Sequence, residues 1–118
     1  MSRIALCGAL TLVMLSGCGP SPPPAAAPPA NAAAAPSDPT LARLYAQTCK
    51  ACHTNPATGA PQAGDRNAWQ PRLAQGMDRV LDHVINGYKG MPPLGSCQDC
   101  SEAEFKALIA FMSGTEIK

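Results

Sequence analysis

The hydrophobic and polar positions of this chain divide it into three zones. Residues 4–15 form an apolar run, residues 19–39 consist mostly of proline and alanine, and apolar residues at helical spacing appear from about residue 40 onward. An apolar run preceded by Arg3 and followed by small residues is typical of an export signal, and this one is short for a bilayer-spanning helix. We therefore predict a signal peptide over residues 1–17, an anchor and tether over 18–39, and a folded domain over 40–118.

The end of the first zone, Leu15-Ser16-Gly17-Cys18, resembles the lipobox of bacterial lipoproteins, in which the cysteine is acylated and becomes the new N-terminus. The resemblance implies lipidation at Cys18 and a membrane attachment carried by the acyl chains. The alternative is ordinary signal cleavage that leaves Cys18 as a thiol. The Pro/Ala-rich segment that follows cannot build a core, and we interpret it as an extended tether of about 3.1 Å per residue.

The third zone carries helical patterns and no convincing strand. Asp38 and Pro39 provide an N-cap and a first-turn proline for a helix whose apolar stripe leads into the sequence CKACH at residues 49–53. A short helix or turn covers residues 68–75. A clearer helix runs from about residue 78 to residue 86, ends at a candidate glycine cap, and has an apolar face made of Val80, Leu81, Val84 and Ile85.

The last helix has both of its ends marked in the sequence. Ser101 and Glu104 have the spacing of a capping box, and Gly114 stops a stripe made of Phe105, Leu108, Ile109 and Met112. We therefore predict an all-α fold of about four helices joined by Gly/Pro-rich loops. Fewer than about 80 residues with few aromatics give a thin core, which a large, flat apolar cofactor would help to stabilise.

The overall charge places one limit on the partners of this chain. Nine Lys and Arg residues stand against eight Asp and Glu residues, which gives a net charge of +1. A nucleic-acid-binding domain of this size normally carries a strongly basic face, so nucleic acid is not expected as a partner. Partner choice must then depend on local surface patches.

The cysteines of the predicted domain form two CxxC pairs, Cys49 with Cys52 and Cys97 with Cys100. Four thiolates at this spacing can bind zinc, but zinc leaves the adjacent His53 without a role, and free thiols suit a reducing compartment better than an exported protein. A dithiol redox role for the second pair lacks a surrounding strand-helix-strand pattern and a nearby Lys or His. CKACH fits covalent haem c attachment, with thioethers at Cys49 and Cys52 and His53 as the proximal iron ligand.

The sixth position of a haem iron distinguishes an electron carrier from a catalyst. His83 falls on the polar side of its helix, Met77 has no special context, and Met112 falls on a core stripe. Met91 differs, because a glycine and two prolines fix an irregular backbone that can direct its thioether at a metal. We predict Met91 as the sixth ligand, and the alternative is a haem enzyme or gas sensor with a displaceable sixth ligand.

Several motifs, taken in order, resemble the class I cytochromes c, and closely the cytochrome c5 group. They are CKACH, GAPQAGDRNAWQPRLAQG and INGYKGMPPLGSCQDCS, followed by the last helix, and together they cover nearly all of residues 40–118. The resemblance implies a helical fold with one haem in a crevice and a disulfide between Cys97 and Cys100. It also implies His53 and Met91 as the axial ligands.

Three further residues acquire roles through the same resemblance. The carbonyl of Pro61 is expected to accept the ring N–H of the proximal histidine, and Trp69 and Arg72 are expected near the haem propionates. The function implied is one-electron transfer between redox partner proteins, without enzymatic activity. The expected location is the periplasmic side of a membrane, with the lipid on Cys18 as the anchor.

Overall fold

The structure, a computed structural model, describes residues 34–115, so the predicted signal peptide, Cys18 and most of the Pro/Ala-rich segment lie outside the described residues. The described residues form α1 (Pro39–Leu44), α2 (Lys50–His53), α3 (Arg66–Leu73), α4 (Met77–Asn86) and α5 (Glu102–Ser113). Between residues 34 and 115 the extended backbone pairs at a single antiparallel bridge, from Tyr88 to Met91, and no strand forms. The predicted all-α fold is confirmed.

The path from α1 to α2 is helical throughout but changes its type. Asp38 caps α1 by accepting the Leu41 N–H at 2.8 Å, as its position before Pro39 predicts. Residues Tyr45–Cys49 are then π-helical, and the N–H of Lys50 donates to the carbonyl of Tyr45. The Thr48 hydroxyl donates to the Leu44 carbonyl at 2.8 Å, so this side chain takes an acceptor that an α-helix would give to a backbone N–H.

The core lies where the first helical path, α4 and α5 meet. Tyr45 is 1% exposed, and its ring meets the Phe111 ring edge-on with a centroid distance of 5.0 Å. The Gly64 N–H donates to the Met112 carbonyl at 2.6 Å and joins the loop before α3 to the end of α5. The largest buried apolar side chains are Leu44, Tyr45, Trp69, Val80, Leu81, Val84, Phe105, Leu108, Ile109 and Met112.

The two middle helices differ in detail from the sequence prediction. α3 begins at Arg66, two residues before the predicted start, because the Asp65 carboxylate accepts the Ala68 N–H at 3.1 Å and caps it. α4 buries most of its predicted apolar face, but Ile85, on the same face, is 41% exposed. At 100° per residue Ile85 lies about 90° from the centre of the buried set, at the edge of the stripe.

α5 has the ends that the sequence predicts. The Ser101 hydroxyl accepts the Glu104 N–H at 3.3 Å, and the Glu104 carboxylate accepts the Ser101 N–H at 2.7 Å, which completes the capping box. Gly114 ends the helix in the left-handed conformation, with φ 66°. In the part of the chain that the structure describes, every helix is too short or too polar to span a membrane.

Candidate functional site

Two adjoining cavities of about 300 and 280 Å³ lie between α2, the loop after α4, and α5. His53, Pro61, Met91 and Met112 line both of them. The first cavity also reaches Cys49 and Cys52, whereas the second reaches Trp69 and Arg72. The fold thus brings all seven residues predicted to hold a cofactor to one crevice.

His53 ends α2 and is fixed at the base of this crevice. Its side chain is 6% exposed, and its Nδ1 lies 2.8 Å from the carbonyl oxygen of Pro61. A carbonyl can only accept, so Nδ1 carries the proton and the lone pair of Nε2 is left for a metal. Burial lowers the pKa of His53, the bond to Pro61 opposes that shift, and the positive charge of Arg72 adds to it. The imidazole is therefore held in the neutral form that ligates metals.

The two cysteines of CKACH occupy different depths. Cys49 is half-buried, and its sulfur lies 3.3 Å from the Thr48 hydroxyl. Burial raises the pKa of the Cys49 thiol, and the Thr48 hydroxyl partly offsets that rise. Cys52 is exposed, and its backbone carbonyl accepts the Thr58 hydroxyl at 2.9 Å. One sulfur therefore faces the interior of the crevice and the other lies at its edge.

The loop after α4 contributes Met91 to the lining of both cavities. The Tyr88 N–H donates to the Met91 carbonyl at 3.1 Å, and the Met91 N–H donates back to the Tyr88 carbonyl at 2.9 Å. Lys89, between them, has φ 54°, which closes the turn. A Cβ placed on Gly95 would lie 3.2 Å from the Met91 methyl carbon, so the thioether is also confined from the far side.

The other candidate iron ligands lie in three different settings. Met77 is partly buried against the core and lines neither cavity. His83 is half-buried rather than solvent-exposed, because its ring stacks on Tyr88 with a centroid distance of 4.0 Å. Met112 is 3% exposed, belongs to the core as expected, and also forms part of the wall of both cavities. Its place on the apolar stripe of α5 indicated that Met112 is buried, but it did not indicate that the side chain lines the cavities.

Trp69 and Arg72 lie on α3, one turn apart. The Trp69 ring stacks near His53 with a centroid distance of 5.7 Å, and its Nε1–H donates to the Gln62 carbonyl at 2.9 Å. Trp69 therefore packs against His53, and its only N–H is already bonded within the protein. The Arg72 guanidinium lines the second cavity and donates one N–H to the Ala68 carbonyl.

The second CxxC pair forms a disulfide between Cys97 and Cys100. Cys97 is 5% exposed, and its N–H donates to the Leu94 carbonyl at 2.8 Å. The three residues before it, 94–96, all have positive φ, so a left-handed turn connects Pro93 to the bridge. Between residues 34 and 115, no three His, Cys, Asp or Glu side chains are grouped as a metal site.

The chemistry of this crevice fits a covalently attached haem. Two cysteine sulfurs, a neutral imidazole and a thioether converge on it, which is the set that a c-type haem with two axial ligands requires. The walls between these groups are apolar and come from Val84, Leu108 and Ile109. Such walls would cover the porphyrin faces and exclude water from the iron.

Comparisons with known proteins agree with this chemistry. A family model described as "Cytochrome C oxidase, cbb3-type, subunit III" matches residues 36–112. Cytochrome c5 of Ectopseudomonas mendocina is 42% identical over 73 residues, which cover 60% of this chain and 84% of that protein. Cytochrome c5 of Azotobacter vinelandii is 44% identical over 73 residues, which cover 60% of this chain and 88% of that protein.

A more distant relative and one solved structure extend the comparison. Cytochrome c-555 of Chlorobaculum tepidum is 39% identical over 74 residues, which cover 59% of this chain and 68% of that protein. A solved chain from an electron-transfer complex of nitrite reductase with cytochrome c superposes with a TM-score of 0.57 at 40% identity, covering 65% of this chain and 94% of that one. This chain therefore belongs to the c-type cytochromes as a class I, cytochrome c5-like member, an electron carrier with covalently bound haem c.

Proposed function

We propose that this electron carrier binds its haem through thioethers at Cys49 and Cys52 and ligates the iron with His53 and Met91. The observation that supports this most is that His53 and Met91 line the same two cavities, with the Nδ1–H of His53 directed at the Pro61 carbonyl. When bound, the haem supplies reversible one-electron chemistry at its iron. Every other contribution comes from the side chains of this chain.

Each of these side chains has a separate task. Pro61 holds the ring of His53 in one tautomer and one orientation, so Nε2 need not reorganise when the electron arrives. Met91 offers a soft thioether, which favours Fe(II) and raises the reduction potential. Apolar packing around both ligands keeps the charge of the iron poorly solvated, which favours the less charged state of the centre.

We further propose that the chain acts only as a carrier between redox proteins and not as an enzyme. With both axial positions filled by protein, no substrate reaches the iron. Cys52 is exposed at the edge of the crevice and gives a partner a short route to the cofactor. The solved relative was crystallised in an electron-transfer complex with nitrite reductase, which supports a redox enzyme as one class of partner.

The location of the carrier is proposed from the N-terminal sequence. Residues 1–17 would direct export, lipid on Cys18 would anchor the mature chain, and the segment up to residue 39 would tether the domain 40–118. A Pro/Ala-rich segment of this length reaches roughly 60 Å when extended. The domain could then move between partners on the periplasmic side of the membrane without leaving it.

Replacing Met91 tests the ligand assignment. Met91→Ala should open the iron to carbon monoxide, abolish the weak red ferric band of iron-methionine ligation and lower the reduction potential. Met91→His should keep six ligands but also lower the potential, because imidazole stabilises Fe(III) better than a thioether does. Met77→Ala is the matched control, because Met77 packs on the core outside both cavities and should affect stability alone.

The unmodified protein tests the alternative function. The reduced parent should resist carbon monoxide, because Met91 occupies the sixth position. Rapid stoichiometric binding by the parent would favour a haem enzyme or gas sensor with a displaceable ligand. An unchanged spectrum and potential in Met91→Ala would show that another group ligates the iron.

A further inference from the structure

We propose that Gly87 is a positioning residue for Met91, because the absence of a side chain lets the loop 88–93 fold back closely against the end of α4. The inference rests on the proposed role of Met91 as an iron ligand. It goes beyond that role by naming what holds the thioether in place.

A side chain at position 87 would crowd the loop that folds back against it. Its backbone, with φ 81° and ψ 155°, lies in a region that glycine adopts almost alone. A Cβ placed there would lie 3.0 Å from the Met91 carbonyl oxygen, 3.0 Å from the Pro93 nitrogen and 3.1 Å from the Pro93 Cδ. Two of these atoms are backbone and the third belongs to a rigid ring, so none can rotate away.

The contact involves the atom that fixes Met91. Its carbonyl oxygen accepts the Tyr88 N–H at 3.1 Å, and this bond is half of the bridge that closes the turn. A methyl group on residue 87 would displace that oxygen and weaken the bridge. Because the Met91 backbone carries the thioether, displacement of the carbonyl also moves the sulfur. Gly90, in the same turn, has open space where its Cβ would be.

The chain provides a matched control at the other end of the same helix. Gly76 precedes α4 with φ 93° and ψ 149°, close to the conformation of Gly87. A Cβ on Gly76 meets nothing within 4 Å. Alanine at either position therefore has a comparable cost in backbone strain, and only alanine at position 87 also contacts the loop 88–93.

The experiment compares four haem-loaded proteins: the parent, Gly87→Ala, Gly76→Ala and Met91→Ala. We expect both glycine variants to melt at a lower temperature than the parent. Of the two glycine variants, only Gly87→Ala should lose intensity in the red ferric band, shift the reduction potential downward and bind carbon monoxide when reduced. Gly76→Ala should keep the spectrum, potential and carbon monoxide resistance of the parent.

The outcomes separate this inference from the proposed function. If Met91→Ala abolishes the ferric band while Gly87→Ala behaves like Gly76→Ala, Gly87 has no positioning role. If Met91→Ala changes nothing, the ligand assignment itself is wrong. Should Gly87→Ala yield no folded protein, Pro93→Ala tests the same contact from the opposite side. This variant removes the ring carbon that faces Gly87 and should also lower the reduction potential. A parent-like spectrum and potential in Pro93→Ala would overturn the proposal.

Discussion

The disulfide between Cys97 and Cys100 allows a quantitative prediction. Replacing both cysteines with alanine removes a bridge that closes a four-residue ring, since the two residues are three apart in sequence. In the chain-entropy model such a ring restricts the unfolded chain by about 6 cal/mol/K, or about 2 kcal/mol at 25 °C. Loss of the buried Cys97 sulfur from the core adds about 1 kcal/mol, comparable with one buried methylene.

The measurement is thermal unfolding of the haem-loaded double variant beside the parent, followed by circular dichroism. For a domain of this size each 1 kcal/mol corresponds to about 4–8 °C, so the combined loss of about 3 kcal/mol should lower the melting temperature by about 12–24 °C. Electron transfer should persist, because neither cysteine lines the crevice. The parent treated with a dithiol should approach the variant, since thioethers to haem resist reduction.

Two results would refute this reasoning about the bridge. A melting temperature within about 2 °C of the parent would mean that the bridge contributes almost nothing to the free energy of unfolding. Loss of electron transfer with haem content and fold intact would instead assign the second CxxC pair a redox role of its own.

Two further predictions concern the capping box of α5 and the proposed lipid anchor. Hydrogen bonds from the Ser101 backbone and hydroxyl lower the pKa of Glu104 from its ordinary value of 4.5. These bonds therefore stabilise the folded state fully above pH 4.5, and the stabilisation is lost as the pH falls through the lower folded-state pKa. Glu104→Gln should make the melting temperature nearly independent of pH across that acid range. The control, Glu102→Gln, should keep the parent's slope of melting temperature against pH. Equal slopes in the parent and Glu104→Gln would exclude the capping carboxylate as the cause. Cys18→Ser should release a haem-loaded domain from the membrane fraction, and firm retention would contradict lipid anchoring.

Much of this fold could be predicted because its helices begin and end at residues with specific chemistry. Asp38 and the Ser101/Glu104 pair bond backbone N–H groups within three residues, so a short stretch of sequence contains the whole interaction. CKACH likewise places two sulfurs and an imidazole together through local geometry alone. The site residues in that motif follow directly from the order of the letters.

Other features depend on distant parts of the chain. The need for glycine at position 87 becomes apparent only when Met91 and Pro93 fold back against it. The stacking of His83 on Tyr88 depends on the same turn. The position of His83 on the polar side of α4 therefore indicated exposure, because the sequence does not show that Tyr88 folds back onto it. The sequence predicts Met112 as an ordinary core residue, and only the cavities reveal that this part of the core faces the crevice.

The π-helical stretch Tyr45–Cys49 has a consequence for how this helix tolerates insertions and deletions. A π turn holds one more residue than an α turn, so it is equivalent to a one-residue insertion that rotates everything beyond it by about 100°. Upstream, Leu44 and Tyr45 pack into the core beside α5, whereas downstream Cys49, Cys52 and His53 face the crevice. The helix therefore directs its first part at the protein core and its last part at the cofactor crevice. A one-residue deletion that restored uniform α-helix would leave only one of these two parts facing its correct surroundings.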